Sequence, residues 1–455
     1  MQVQDFYYDI AYAALTNRLV LFTGTGFSKA VTNDRALSWI DLLIEVIDQS
    51  GISDKEKLKD FLFPMSIDNK RKISSECIAS LEEAAQMINI KLKKIDEDIA
   101  LIIRTIIESI KLAENNDIVF IKNFIEAVRS RSLNLKVVTT NYDGLFEDLL
   151  NGNIINSIVP GLPIPKVKSN FEIYHVHGSI DSPENMIITS EDYFDFINSE
   201  TYFSRKLSTL LYENTVVILG YSLSDLNLKA IICEQKKQTK NYLAGANILF
   251  ISRDSIHPDI KDYYGDCYGI RVLDNIEILD FFQYLTNKIL NDNWDHIKIS
   301  LENIQVFASK EEEEIFNPDF IRQSYSFFHI MSAIEATGWN LNNAGACNLL
   351  VKAMKQKIKL TGDSGAWKQY QHLANWLIYI ASKFDIQGTE FESEFLSFVI
   401  YSMTNMGRYI GYSWEAYDTW KNYWGNILVS NKNLIRNYWN SIGISWEPAL
   451  EVIYQ

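Results

Sequence analysis

Arg18-Leu19-Val20-Leu21-Phe22-Thr23-Gly24-Thr25-Gly26-Phe27-Ser28 is the stretch on which the fold turns. Arg18 to Phe22, apolar from Leu19 on, reads as a short buried strand, and Thr23 to Ser28 follows as a small, glycine-bearing turn. Helical spacing of apolar residues precedes it, from Asp5 to Leu15, and resumes after it from Ser38 to Ile47. The order helix, strand, glycine turn, helix is the opening of an α/β unit. Glycines there let a backbone approach a pyrophosphate, with free amides and a helix dipole facing it. A tight strand-to-helix turn with no ligand fits the same residues equally well. The dinucleotide fingerprint places a third glycine where this chain has Lys29, which disfavours an ordinary Rossmann dehydrogenase.

Working outward, residues 53–130 are rich in Lys, Glu, Ile and Leu and predict several helices, one of them around Glu76 to Ile90. Strand-like runs return at Leu135 to Thr139, Glu172 to Val176, Met186 to Thr189, Thr215 to Leu219 and Ile248 to Ile251. Apolar runs separated by helical segments predict a parallel sheet covered on both faces. The fold class expected is α/β: a Rossmann-like, mostly parallel sheet with a helical insertion at about 53–130, plus an all-α C-terminal domain. The first domain is expected over about 1–295 and the second over about 300–455, with the charge run Lys310 to Glu314 near the boundary. Eight of the ten tryptophans lie in the second domain. Most should fill its core, and some should be exposed for assembly, with another copy or a separate partner.

Composition excludes several classes. The chain has 455 residues, 47% hydrophobic and 22% charged, the range of ordinary globular proteins. A net charge of −15, with acids spread along the chain, argues against direct nucleic-acid binding. Cys77, Cys233, Cys267 and Cys347 are scattered without a Cys-x-x-Cys pair, so neither a zinc ribbon nor a disulfide framework is expected. No uninterrupted apolar stretch of about 18 residues is present, and no basic start leads into an apolar run; a soluble, cytoplasmic protein without membrane contact is expected.

The residues suited to chemistry all follow strands. Asn141-Tyr142-Asp143 comes where ligands of open α/β sheets bind, and an amide such as Asn141 can hold water or a ribose hydroxyl without carrying charge. The trio also suits a helix cap. His177-Gly178 offers a base that titrates near neutrality. His175, two residues earlier and expected on the same side of an extended strand, reads as a satisfied core histidine, with a second catalytic group or a His-x-His metal site as alternatives. Gly220-Tyr221-Ser222 follows another strand, and Asp225 would cap the helix after it. Ser252 and Arg253 end a further strand, where an arginine meets a phosphate or, more commonly, lies in an exposed loop.

Taken in order, Gly-x-Gly-x-Ser, Thr-x-Asn-x-Asp, His-Gly and Gly-x-Ser-Leu over about 285 residues resemble the sirtuin family. The resemblance implies that Gly24, Gly26 and Ser28 face the phosphates of NAD, that Asn141 and Asp143 lie beside the nicotinamide riboside, and that His177 is a base near the ribose. It places Gly220 and Ser222 on the other part of the dinucleotide and Ser252 where the family has a ribose-binding asparagine; Thr25, Thr140 and Arg253 complete the expected binding set. The family usually has alanine at Thr25, glutamine at Thr140, a Pro-Asp-Phe-Arg segment where Asn33 to Trp39 stands, and four zinc-binding cysteines. Those departures count against protein deacylation and imply no zinc. What remains resembles the divergent sirtuin-like domains of bacterial anti-phage defence proteins. They imply an NAD hydrolase releasing nicotinamide and ADP-ribose, with Asn141 positioning water or ribose, Asp143 giving electrostatic support and His177 taking a proton. The alternatives are a deacylase or ADP-ribosyltransferase, or a non-catalytic sensor of NAD or ADP-ribose.

Overall fold

A computed structural model describes residues 3–66, 70–74, 80–114, 118–198, 201–222, 226–239, 248–291, 318–324, 326–327, 330–331, 334 and 341–455. Seven strands form one all-parallel sheet: β1 (Leu19–Thr23), β2 (Leu135–Thr139), β3 (Ile155–Ile158), β4 (Phe171–His175), β5 (Thr215–Leu219), β6 (Ile248–Ile251) and β7 (Ile270–Leu273). Their order across the sheet is β3-β4-β2-β1-β5-β6-β7, and all six pairings are parallel. β1 lies at the centre with β2 on one side and β5 on the other, so the chain winds away from β1 in both directions. The crevice above the carboxyl ends of β1 and β5 is therefore a topological switch point, where such sheets bind ligands.

Alternate residues of each strand enter different apolar layers. Leu19, Leu21, Val137, Ile173, Val217 and Leu249 face one layer. Val20, Phe22, Val138, Tyr174, Val216 and Ile218 face the other. This two-sided burial explains why the central strands read as continuous apolar runs.

The N-terminal half contributes α1 (Val3–Leu15), α2 (Thr25–Val31), α3 (Trp39–Gln49), α4 (Lys55–Leu62), α5 (Leu81–Lys93), α6 (Ile99–Glu108), α7 (Val119–Ser130) and α8 (Leu145–Leu149). After them come α9 (Ser190–Asn198), α10 (Tyr202–Glu213), α11 (Leu226–Thr239), α12 (Pro258–Tyr268) and α13 (Ile278–Asn291). The remainder is helical: α14 (Pro318–Arg322), α15 (Ala344–Thr361), α16 (Trp367–Lys383), α17 (Glu392–Thr404), α18 (Trp414–Tyr423), α19 (Val429–Ile442) and α20 (Glu447–Ile453). Helices α3 to α6 close their own apolar cluster with Tyr142, Met186 and Ile188. α7 instead buries Ile121, Phe124 and Ile125 in the layer beneath the sheet. Side-chain caps start three of the four helices α3 to α6: Ser38 accepts from Asp41 N, Ser80 with Glu83 forms a reciprocal capping box, and Asp98 accepts from Ala100 N.

The C-terminal helices share one continuous apolar cluster with the lower face of the sheet. A polar junction reinforces the contact: Arg271 of β7 bonds Asp9 of α1 at 3.2 Å, and Tyr379 of α16 donates to the same carboxylate at 2.6 Å. Trp376, Trp420, Trp424 and Trp439 fill the helical core, whereas Trp367 and Trp414 are exposed. Lys310 to Glu314, Trp339, Asp225 and Cys77 lie outside the described residues.

Several local expectations are corrected. Met186 to Thr189 is extended but belongs to no ladder; Ile187 N bonds His177 O at 2.9 Å, and no neighbouring strand runs beside it among the described residues. β3 and β7 escape sequence reading because Asn156-Ser157 and Arg271 interrupt their short apolar runs. The glycine turn is shorter than it reads, because α2 already begins at Thr25 and carries Ser28 within its first turn.

Candidate functional site

The turns after β1, β2, β4, β5 and β6 open into one cavity of about 1210 Å³. Its walls include Thr25, Gly26, Ser28, Thr140, Asn141, Asp143, His177, Gly220, Ser222, Ser252 and Arg253. Eleven of the twelve site residues expected from sequence thus share one chamber; Gly24 is buried beneath it. α3, α5 and α6 roof the chamber on one side, contributing Trp39, Leu42, Glu82, Glu83 and Ile107.

The glycines have a reason of their own. Gly220 has φ +61°, and a Cβ on it would meet Phe27 N at 2.2 Å. A Cβ on Gly26 would meet Gly220 Cα at 2.6 Å. The turns after β1 and β5 are therefore pressed backbone to backbone, a close approach that only glycine permits. Their amides are engaged as well: Gly24 N donates to Leu219 O at 3.1 Å and Gly26 N to Gly220 O at 2.8 Å. The expectation of free glycine amides facing a phosphate is corrected, because those hydrogens already bind the neighbouring turn. The cations lining the chamber among the described residues are Lys29 and the exposed Arg253. Lys29 follows Ser28 into the chamber wall, a role its mismatch to the dinucleotide fingerprint had concealed.

Ser28 links two strands' turns. Its hydroxyl donates to Asp143 Oδ2 at 2.8 Å, and Asn141 Nδ2 donates to the same hydroxyl oxygen at 2.8 Å. Ser28 has one proton to give, so its bond to the ionised Asp143 obliges it to accept from Asn141. The carboxamide is thereby oriented, and Asn141 Oδ1 has no partner among the described residues. A second bond reaches Asp143 Oδ1 from Leu145 N at 3.2 Å, capping α8. Burial pushes the Asp143 carboxyl above the ordinary carboxylate range, against the opposing bonds from Ser28 and Leu145 and the charge of His175.

His177 lies beyond the end of β4, where Val176 and His177 form a turn closed by Gly178 at φ +91°. Tyr193 and Phe196 of α9 pack edge-on against its ring at 5.3 and 5.9 Å, and Tyr193 Oη lies 3.4 Å from Nδ1. Sequence reading missed these aromatics, which come from the next α-helix in the chain, folded back over the ring. His175 ends β4 and is buried, with Nε2 bonded to Glu147 Oε1 at 2.8 Å. The turn at Val176 separates the two histidines, so the expectation that they share a side does not hold; only His177 lines the chamber.

Ser252 is buried and donates to Asp254 O at 2.8 Å, which leaves its oxygen able to accept. Among the described residues no group of three or more His, Cys, Asp or Glu is placed to hold a metal ion. Cys233, Cys267 and Cys347 are free thiols.

The family model described as a SIR2-like domain matches residues 135–273, the span that supplies Asn141, Asp143, His177, Gly220, Ser222, Ser252 and Arg253. The chain carries a SIR2-like domain. The central strand β1 of the sheet and Ser28 lie outside the matched residues, in the N-terminal segment. Defense-associated sirtuin 2 of Bacillus subtilis is 24% identical over 184 residues, 39% of this chain and 18% of that protein. The NAD(+) hydrolase ThsA of Bacillus cereus (strain MSX-D12) is 26% identical over 176 residues, 37% of this chain and 35% of that protein. The NAD(+) hydrolase ThsA of Enterococcus faecium is 26% identical over 187 residues, with 37% of each chain covered. The chain thus spans 18 to 37% of the length of these relatives. The SIR2-like domain here is of the divergent type, similar to defence sirtuins and lacking the cysteine quartet. No helix among the described residues is long and apolar enough to cross a membrane.

Proposed function

We propose that this protein hydrolyses NAD to nicotinamide and ADP-ribose, as an effector that depletes NAD on phage infection. The observation that carries the reading is the oriented Asn141 carboxamide, held through Ser28 by Asp143, in the same chamber as His177 at the switch point of the sheet. NAD is the substrate, and no zinc is required.

The bond to break joins the nicotinamide nitrogen to the ribose C1′. Its electron pair leaves with nicotinamide, which becomes neutral, and positive charge develops on the sugar. A site for this reaction needs an acceptor near the sugar and a path for one proton. Asn141 Oδ1 supplies the acceptor, toward a ribose hydroxyl or the attacking water. Asp143 acts through Ser28 as a positioning residue, and its negative charge opposes the developing cation from behind. Water adds to C1′ and gives its proton to His177. Thr25, Thr140, Gly220, Ser222 and Ser252 border the dinucleotide, and Lys29 and Arg253 face its pyrophosphate.

The helical C-terminal domain serves assembly, with further copies of the chain or with a separate defence partner. Its exposed Tyr409, Ile410 and Trp414 motivate that role. Light scattering on the full chain, alone and with candidate partners, tests it; a monomer that binds nothing refutes it. The activity is tested by incubating purified protein with NAD and following nicotinamide release. His177→Ala and Asn141→Ala should each lower turnover by about 100- to 10,000-fold in a folded protein. Wild-type turnover in either variant refutes the assignment, and nicotinamide release that requires a protein acceptor favours transfer over hydrolysis.

A further inference from the structure

His175 has hydrogen-bonding partners on both ring nitrogens, and each partner is an acceptor. Nε2 meets Glu147 Oε1 at 2.8 Å, and Nδ1 meets the backbone carbonyl of Asn141 at 3.4 Å. A carbonyl accepts only, and an ionised carboxylate accepts only, so satisfying both contacts requires a hydrogen on each nitrogen. The ring that fits is the imidazolium. Glu147 fits the complementary charge: its Oε1 also accepts from Ser157 at 2.8 Å, and its Oε2 has no hydrogen-bond partner among the described residues. A half-buried carboxylate so placed is balanced by the cation beside it.

We propose that protonated His175, held by Glu147, is a positioning residue that clamps the peptide of Asn141, and that loss of its proton releases this clamp and ends activity on the alkaline side. The proposal rests on the NAD-cleavage reading for its activity readout. It assigns opposite protonation states to two histidines two residues apart: His177 works neutral, as a base, and His175 works charged, from behind the turn. A rate profile with two limbs follows.

The groups facing His175 are Glu147 from α8, Asp143 and the Asn141 carbonyl from the turn after β2. Burial pushes the imidazole downward, and the bond and charge of Glu147, the Asn141 carbonyl and Asp143 together outweigh it, so its net position is above the ordinary 6.5. For Glu147 burial pushes upward, and His175 and Ser157 bring the carboxyl below the ordinary 4.5. The clamp is therefore intact between those limits and fails as pH rises through the raised histidine value.

The test is a pH titration of the full-length protein by NMR, for wild type and Glu147→Gln, following the His175 ring and the amide nitrogen of Tyr142. That nitrogen is bonded to the Asn141 carbonyl carbon and reports hydrogen bonding at its oxygen. kcat and KM for nicotinamide release are measured across the same range. Ring and amide should titrate together in the wild type, at the midpoint of the alkaline limb of kcat. Glu147→Gln removes the charge while keeping an acceptor; it should move both midpoints and the limb down by about one unit or more. Its kcat should fall more than its KM rises, and should recover toward wild type below the new midpoint. A pH-independent loss of kcat, or ring and amide midpoints that differ, overturns the proposal. Should Glu147→Gln not fold, coincidence or separation of the wild-type midpoints decides alone. A wild-type protein that releases no nicotinamide refutes the NAD-cleavage reading, whereas the ring and amide titrations still decide the clamp.

Discussion

Replacing Ser28 by alanine removes one oxygen from the centre of the chamber wall and changes little else in shape. Ser28 is buried, and its hydroxyl makes two bonds of 2.8 Å, one to the Asp143 carboxylate and one from the Asn141 amide. A bond to a charged group contributes about 1.5–3 kcal/mol and a neutral one about 0.5–1.5 kcal/mol. The part that reaches the rate is the part that keeps Asn141 Oδ1 turned toward the sugar, on the order of 1.4–3 kcal/mol, or about a 10- to 100-fold fall in kcat. The variant also carries a signature in pH. Ser28 opposes the upward push of burial on the Asp143 carboxyl, so its removal raises that group further. The negative charge of Asp143 faces the developing sugar cation with or without Ser28, so its protonation adds to that of His177 in lowering activity as pH falls, and in Ser28→Ala the Asp143 contribution should begin at higher pH. The assay is nicotinamide release at saturating NAD across the acid range, with circular dichroism to show that the variant is folded. Wild-type kcat in a folded Ser28→Ala protein refutes the relay, and an unmoved acid limb refutes the role of Asp143 within it.

Three further outcomes follow from the structure. Gly220→Ala should lower stability by at least about 2 kcal/mol in chemical denaturation, since φ +61° and a Cβ 2.2 Å from Phe27 N combine strain with a backbone clash; an unchanged midpoint contradicts the close approach of the two turns. Lys357 is buried, bonded to Ile321 O at 2.6 Å and Gln369 Oε1 at 2.9 Å, and burial, with Arg322 nearby, lowers it from 10.5 to about 7. Its contribution is full above 10.5 and declines as pH falls toward about 7, so Lys357→Met should compare progressively better with wild type as pH is lowered through that range; a pH-independent difference refutes the burial of its charge. Finally, nicotinamide release should survive a strong chelator, and inactivation that only added zinc reverses contradicts a metal-free site.

The sequence by itself determined the class of fold and the order of the site's parts. Central strands buried on both faces must be apolar throughout, so β1, β2, β5 and β6 are legible as short runs, and the turns after them must carry small polar residues. Asn141, Gly220 and Ser252 are found at those turns for that reason, and His177 at the turn after β4. Edge strand β3 and the outermost β7 were not legible, because their polar residues are admitted by partners outside the strand: buried Asn156 donates to Val167 O, Ser157 donates to Glu147, and Arg271 bonds Asp9 of α1. What tertiary structure alone decided is which polar atoms meet. Ser28 and Asp143 are 115 positions apart and Asn141 and Ser28 113, yet each pair is hydrogen-bonded. The same holds for the glycines, whose requirement comes from the neighbouring turn, and for His175, whose carboxylate partner Glu147 lies on α8. Periodicity reports the face that a residue presents to a core. Hydrogen bonding among buried polar groups depends on distances between elements, which are set only when the sheet has closed its order.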